Sequence, residues 1–183
     1  MNPYCDYCLN HPDDPFNTPY HDHHYGFPIT NDNLLFERLV FEINQAGLSW
    51  ITILKKAEAF RLAYAAFDIP TVAAFTPDDV ARLMQDPSII RNRLKIEAAI
   101  SNAQTLLTLQ QQHGSFKTWL DQHSDLDHAA WTKLFKATFR FTGGEIVREF
   151  LLSTGYLQGA HSPDCPIYPI IAAQNPPWMK AAQ

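Results

Sequence analysis

The residues best suited to bind a metal ion lie near the two ends of this sequence. The segment HSPDC places His161 four residues before Cys165, a spacing at which one turn of chain can chelate a metal ion. A tetrahedral site then needs two more ligands, and Cys5 and His21 are the candidates that we favour. Such a site would join the two ends of the chain.

Other interpretations of these residues remain open at this point. Free thiols and surface histidines would give the same composition, and Cys5 with Cys8 forms a C-x2-C pair, which is itself a common zinc-binding spacing. Three cysteines are an odd number, which argues against a framework of disulfides. A metal has a physical purpose here because a helical core cannot by itself order the Pro-rich ends.

A second chemical candidate is a carboxylate on the inner face of a predicted helix. In LLFERLVFEINQAGLSW, which begins at Leu34, residues Leu35, Leu39 and Ala46 recur at helical spacing and predict a buried face. Glu42 falls on the same face, where a carboxylate is costly unless it has a partner or a function. Glu42 is therefore either paired with an arginine or a backbone group, or part of a binding site.

The segments that must position these groups are predicted to be helices, with no convincing strand, so the predicted fold class is all-α. Apolar residues follow helical spacing in 34–46, 50–67, 88–113, 116–120, 129–139 and 143–155. Thr76 followed by Pro77 and two acids predicts a helix start, and Gly114 and Gly155 predict helix ends. We expect residues 1–30 and the tail 156–183, both rich in proline, to be irregular.

Composition narrows the class of protein without identifying it. A chain of 183 residues with 46% hydrophobic residues fits one domain, and it contains no apolar run long enough to span a bilayer. The N-terminus lacks the pattern of a secretory signal, so we expect a cytoplasmic protein. A net charge of −5 does not indicate nucleic-acid binding, although RNRLK (91–95) or the basic residues of 133–140 could form a local basic face. Both clusters are equally compatible with solvated helix faces.

Three segments resemble one known family. They are YHDHHYG (20–26), LFERLVFEINQAGLSWITILKK (35–56) and IIRNRLKI (89–96), and FRFTGG and the H-x3-C tail follow in the expected order. The chain resembles the DNA-3-methyladenine glycosylase I family from Cys5 to Cys165. This resemblance implies a helix-hairpin-helix DNA glycosylase fold, a single domain of residues 1–183, and a structural zinc that joins the N-terminal loop 1–30 to the tail 156–183.

The resemblance also implies a role for individual residues. It implies that Glu42 hydrogen-bonds an extruded adenine, and that Gly47 and Leu48 form the turn that fills the gap left in the DNA. The hairpin residues Thr142, Gly143 and Gly144 would hold a DNA phosphate. The remaining residues fall into two sets: aromatic base-binding residues Tyr7, Tyr20, Tyr25 and Trp50, and zinc ligands Cys5, His21, His161 and Cys165.

Several positions depart from the family pattern. Tyr7 stands where the family has tryptophan, His24-Tyr25 replaces Glu-Trp, and Asn17 stands in place of a tyrosine. Cys8 has no counterpart, and the stretch between Trp119 and Trp131 is shorter than usual. These departures predict a partly rebuilt base pocket and a changed range of lesions rather than a different fold.

The implied reaction is hydrolysis of the N-glycosidic bond of 3-methyladenine in double-stranded DNA, by a monomeric enzyme. We find no second carboxylate in the sequence to activate water and no lysine placed as a nucleophile, so we expect a monofunctional glycosylase without strand cleavage. Two alternatives remain: a zinc-dependent hydrolase, which needs an open metal position, and a non-catalytic or altered-specificity binder of DNA lesions.

Overall fold

Helices form all the regular structure in the computed structural model, which describes residues 2–180. The predicted all-α fold class is therefore confirmed over this range, while residue 1 and residues 181–183 of the predicted domain lie outside it. The helices are α1 (Pro3–Asn10), α2 (Asn17–His23), α3 (Asp32–Gln45), α4 (Trp50–Ala63), α5 (Ile69–Ala73), α6 (Pro77–Gln85), α7 (Arg93–His113), α8 (Phe116–Asp121), α9 (His128–Thr138), α10 (Gly144–Ser153), α11 (Tyr168–Ala172) and α12 (Pro177–Lys180), with a 3₁₀ turn at Ala65–Phe67.

The ends of the chain are more helical than we expected. Three of the prolines that suggested irregular structure, Pro3, Pro169 and Pro177, stand in the first turns of α1, α11 and α12, where a missing N–H costs nothing. The Asn2 side chain caps α1 by accepting from the Tyr4 N–H at 2.9 Å. Its amide also donates to the Ala160 carbonyl at 3.2 Å, so the two ends of the chain meet.

Local signals set most helix boundaries. Thr76 and Asp79 form a reciprocal capping box at the start of α6, and Gly114 ends α7 with a φ of 88°, a conformation that favours glycine. Helix α7 begins later than predicted because the Asn92 backbone is extended and its side chain caps Lys95 N–H at 3.2 Å. Asn31 caps α3, and Asp32 after it accepts hydrogen bonds from the N–H groups that open α8.

Helix α3 lies in the core and presents its inner face to most of the other long helices. Leu35, Leu39 and Ile43 are fully buried, and Glu42 lies among them with an exposure of only 3%. Aromatic packing between Phe135 of α9 and Phe150 of α10 holds the hairpin formed by those helices. Within the described residues, no helix has both the length and the apolar character needed to cross a membrane.

Candidate active site and metal centre

Four buried side chains from the two chain ends converge on one point. They are Cys5, His21, His161 and Cys165, whose potential ligand atoms all lie within 4.8 Å of one another. His161 Nδ1 is 3.7 Å from Cys5 Sγ and 3.4 Å from Cys165 Sγ, and His21 Nε2 is 3.7 Å from Cys165 Sγ. A tetrahedral zinc site has ligand atoms roughly 3.3–3.8 Å apart, so these four side chains fit such an ion.

The other ring nitrogen of each histidine is already held. His161 Nε2 is 2.9 Å from the Tyr25 carbonyl, and His21 Nδ1 is 2.7 Å from a carboxylate oxygen of Asp22. Such outer contacts orient metal-binding histidines. Burial lowers the pKa of His161 to about 4, which keeps its imidazole neutral, as a ligand must be. Cys8 is buried but lies outside this group of four.

Next to this cluster is a cavity of about 180 Å³, and half of the residues that line it are aromatic. It is lined by Asn2, Tyr4, Tyr20, Tyr25, Glu42, Gln45, Trp50 and Glu149. The Tyr20 and Trp50 rings lie 5.0 Å apart at an angle of 52°, and the Tyr4 and Tyr25 rings meet edge to face. Tilted aromatic faces and carboxylates together suit a flat ligand that is cationic and rich in N–H groups.

Glu42 is the buried carboxylate of this cavity, and its environment favours the neutral form. Burial, with a smaller contribution from the nearby Glu149, raises its pKa to about 8, although Arg38 opposes this shift. Arg38 lies one turn earlier on α3 and donates to the Tyr20 hydroxyl at 3.0 Å and to the Ser153 carbonyl at 3.1 Å. Arg38 therefore fixes Tyr20 and α10 relative to Glu42.

The position of Tyr7 differs from our expectation. Tyr7 lies outside the cavity, 41% exposed, and its hydroxyl donates to Asp14 at 2.9 Å in a neighbouring groove. Tyr4, one turn earlier on α1, lines the cavity instead, and its hydroxyl donates to the Asn17 carbonyl at 3.2 Å. Tyr4, directly before Cys5, therefore faces the pocket, whereas Tyr7, two residues after Cys5, does not.

Glu149 is a pocket residue that the sequence analysis missed. It lies on α10 and provides the second carboxylate that we did not find in the sequence. Its position three residues after Ile146 and three before Leu152 was the available signal, because that spacing places Glu149 next to apolar residues on one helix face. The same reasoning had singled out Glu42 on α3.

The turn between α3 and α4 presents an apolar side chain beside the cavity. Gly47 has a φ of 83°, and Leu48 after it is 41% exposed. The buried Lys95 amine donates to the Asn44 carbonyl at 2.9 Å and to the Ala46 carbonyl at 2.7 Å. Lys95 thus satisfies carbonyls at the end of α3 and fixes the start of this turn.

The α9–α10 hairpin is held by side chains that point inward. The buried Thr142 hydroxyl donates to carbonyls of Phe135 and Phe139, both at 3.1 Å, so this side chain is not free for a partner. The residue with a positive φ is Phe141, at 62°, rather than either glycine. A Cβ at Gly143 would meet open space, so the backbone at the start of α10 can be approached closely from outside.

A larger groove of about 450 Å³ lies on the far side of Tyr20 and Arg38. Its charged residues are already paired, since Arg61 makes a bidentate contact with Glu37 at 2.9 and 2.7 Å. The smaller cavity, which holds two carboxylates with raised pKa values, is therefore the better candidate for chemistry.

Comparison with known proteins identifies close relatives. Residues 10–168 match the methyladenine glycosylase family. DNA-3-methyladenine glycosylase 1 of Escherichia coli K12 is 37% identical over 175 residues, covering 85% of this chain and 93% of that protein. The DNA-3-methyladenine glycosylase of Haemophilus influenzae is 32% identical, covering 80% of this chain and 89% of the relative.

Solved structures agree with these sequence relatives. A Tyr-to-Phe variant of 3-methyladenine DNA glycosylase I in complex with 3-methyladenine aligns with a TM-score of 0.80 and 35% identity, covering 87% of this chain and 96% of that chain. The 3-methyladenine DNA glycosylase I of Staphylococcus aureus also gives a TM-score of 0.80, at 34% identity, covering 90% of this chain and 97% of that chain.

The raised pKa of Glu42 predicts a pH-dependent gain in stability for Glu42→Gln. The folded pKa of about 8 lies above the ordinary value of 4.5, so between these pH values only the unfolded chain gives up the proton. Stability of the wild type therefore falls as pH rises through this window, whereas glutamine has no proton to lose. Glu42→Gln should match the wild type near about pH 4, below the unfolded pKa, and exceed it by about one to a few kcal/mol near about pH 9.

Denaturant unfolding at both pH values measures this difference. Glu145→Gln is the matched control, because the Glu145 side chain is 80% exposed and should show no such change. A Glu42→Gln protein less stable than wild type at the higher pH would mean that the ionised carboxylate stabilises the fold.

Proposed function

The chain belongs to the methyladenine glycosylase family and is a DNA glycosylase, and we propose that it releases 3-methyladenine from alkylated double-stranded DNA by binding the extruded base beside Glu42. The observation that carries this proposal is the aromatic cavity closed at one end by the Glu42 carboxylate. We further propose a monomeric enzyme that works in the cytoplasm in base excision repair.

Recognition in this pocket rests on charge and on aromatic faces. Alkylation at N3 makes adenine cationic, and a cation beside aromatic rings such as Tyr20 and Trp50 gains about 0.5–2 kcal/mol. Extruding the base costs a few kcal/mol, and least for a damaged base. Leu48, on the turn beside the pocket, has the exposure and apolar character needed to fill the gap left in the duplex.

Glu42 supplies a negative charge when the cationic base arrives. Its raised pKa keeps it largely protonated in the free protein near neutral pH, which limits the cost of burying it. A positive base close by favours the ionised form, so Glu42 releases its proton to solvent as the base binds. The resulting carboxylate accepts hydrogen bonds from the base and stabilises the positive charge of the oxocarbenium-like transition state.

Tyr25 and Tyr4 complete the pocket where the family pattern has other aromatic residues. Tyr25 lines the cavity directly, and Tyr4 takes the place that we had expected for Tyr7. No lysine lines this cavity among the described residues, and the buried Lys95 amine is already engaged with two backbone carbonyls. These observations support a monofunctional glycosylase that does not cleave the strand.

The four-residue cluster supports a structural zinc. All four side chains are buried, and with four protein ligands a tetrahedral ion has no open position for a substrate. This arrangement disfavours the zinc-dependent hydrolase. When bound, the ion would hold the two chain ends together, and with them Tyr4, Tyr20 and Tyr25, each of which is next to a ligand or bonded to one.

Zinc content tests this part of the proposal. Protein purified without added metal should contain one zinc per chain, and Cys165→Ala should lose most of the zinc and some thermal stability. Cys8→Ala is the matched control, because Cys8 is an equally buried cysteine outside the cluster, and it should keep its zinc. Wild-type occupancy below about half, or full retention by Cys165→Ala, would contradict the assignment.

A second prediction concerns DNA contact by the hairpin. We expect backbone N–H groups at Gly143 and Gly144 to bind a DNA phosphate, with Lys133, Lys136 and Arg140 nearby in sequence. Gly143→Val adds bulk where the structure has open space, so folding should be normal while DNA binding weakens by about tenfold or more.

Phosphate contacts carry no sequence or damage information, so damaged and undamaged duplexes should be affected alike. Fluorescence anisotropy with both duplexes measures this, and Ala74→Val, at an exposed position beyond α5, is the control. Loss of damage preference with unchanged overall affinity would contradict the role of the hairpin.

The activity itself is tested with Glu42→Gln. This variant keeps the shape of the side chain but removes its charge, so it should fold and release 3-methyladenine roughly 10- to 100-fold more slowly, equivalent to about 1.4–2.7 kcal/mol. Single-turnover base release from alkylated DNA, with products separated by chromatography, gives the rate. A wild-type protein that binds lesions without releasing base would instead support the non-catalytic alternative.

A further inference from the structure

The cavity contains a second carboxylate that the recognition of the base does not use. Glu149 lines the same cavity as Glu42, but the two differ in exposure: the Glu149 side chain is 28% exposed, whereas Glu42 is only 3% exposed. Glu42 therefore lies at the closed end of the cavity and Glu149 where it opens to solvent. A base seated against Glu42 would have its sugar at the open end.

We propose that Glu149 is the general base that takes a proton from the water molecule attacking C1′ of the extruded nucleotide. This inference rests on the proposed function and adds a catalytic residue to it. As the water oxygen bonds to C1′, the N9–C1′ bond breaks and its electron pair stays on N9, which neutralises the cationic base. One water proton passes to the Glu149 carboxylate and then to solvent, and a hydroxyl remains on C1′.

The helix that carries Glu149 also begins at the proposed phosphate site. Glu149 lies five residues after Gly144, which corresponds to about 7.5 Å along the axis of α10. This distance is comparable to the length of one nucleotide. A phosphate held at the start of α10 therefore brings the neighbouring sugar within reach of Glu149, so the same rigid element positions the DNA backbone and the base catalyst.

Two neighbours hold the carboxylate in place and leave it able to accept a proton. Arg148 Nη1 lies 2.9 Å from one Glu149 oxygen, and the Tyr25 hydroxyl donates to the other at 3.4 Å. Burial raises the pKa of Glu149 and the Arg148 charge opposes this. A carboxylate of raised pKa is a stronger base than an ordinary one, and a position at solvent lets it release the proton afterwards.

Simple electrostatic recognition of the base is the competing role for Glu149. A residue that only attracts the cationic base would contribute to base binding and to the rate together. A general base acts on water, so its removal slows the chemical step while a cationic analogue of the base, such as 3,9-dimethyladeninium, still binds. An external carboxylate small enough to enter the cavity would then replace it.

The test compares Glu149→Gln, Glu149→Asp and Glu149→Ala with wild type. Glu145→Gln is the matched control, because Glu145 also faces Arg148, at 3.7 Å, but does not line the cavity. Single-turnover release of 3-methyladenine from duplex DNA, with enzyme in excess, gives the chemical rate. Calorimetric titration with 3,9-dimethyladeninium, which keeps the positive charge that the base loses on release, gives the affinity for the cationic base, and added formate tests chemical rescue.

We expect Glu149→Gln to fold, to bind 3,9-dimethyladeninium as wild type does, and to release base about 100-fold more slowly. Glu149→Asp should recover part of the rate, formate should accelerate Glu149→Ala, and Glu145→Gln should resemble wild type. An unchanged rate in Glu149→Gln, an equal loss of rate and base affinity, or no response to formate overturns the inference. If the wild type is active but the Glu149 variants give one of these results, the proposed glycosylase function is retained and only the general-base role of Glu149 is rejected. A wild type that releases no base contradicts both the proposed function and this role.

Discussion

Burial of the Glu42 carboxylate on the inner face of α3 is the constraint on which the rest of the site depends. A carboxylate in this position costs stability unless it is neutral or meets a positive partner. The surrounding structure is compatible with both the neutral and the ionised carboxylate. Burial favours the protonated form in the free protein, and the aromatic cavity beside it is where we propose that the cationic base binds. Arg38 supports the arrangement from the same helix by fixing Tyr20.

The metal cluster and the pocket are built from the same short segments of the chain. Tyr4 precedes Cys5 and Tyr20 precedes His21 in the sequence, and the Tyr25 carbonyl lies 2.9 Å from the His161 ring. Three aromatic walls of the cavity thus come from short segments that a bound ion would hold. These segments belong to the chain ends, where the core gives little support. A structural ion there would therefore act on base binding through the position of these rings, without contacting the base.

Much of this arrangement could be predicted from local sequence. Helical spacing of apolar residues located the long helices and placed Glu42 on a buried face, and Thr76 and Gly114 marked helix boundaries because their effects are local. Spacing alone left the ligand set open between Cys5 with His21 and the C-x2-C pair, because the choice depends on how distant segments meet. Local sequence also does not show which face of a helix turns toward the cavity. For this reason Tyr7 was expected in the pocket although it lies in a neighbouring groove, and Glu149 was not expected there although it lines the cavity.

The account rests on Glu42 being a buried, proton-holding group that responds to the base. Carbon-detected NMR of labelled glutamate carboxyls, titrated with pH with and without saturating 3,9-dimethyladeninium as a cationic analogue of the base, measures this directly. We predict that the Glu42 resonance titrates near pH 8 in the free protein and that the cationic analogue changes its chemical shift and lowers its midpoint. A Glu42 carboxyl that titrates near its ordinary value of 4.5, or one that is unaffected by the cationic analogue, would contradict this role for Glu42.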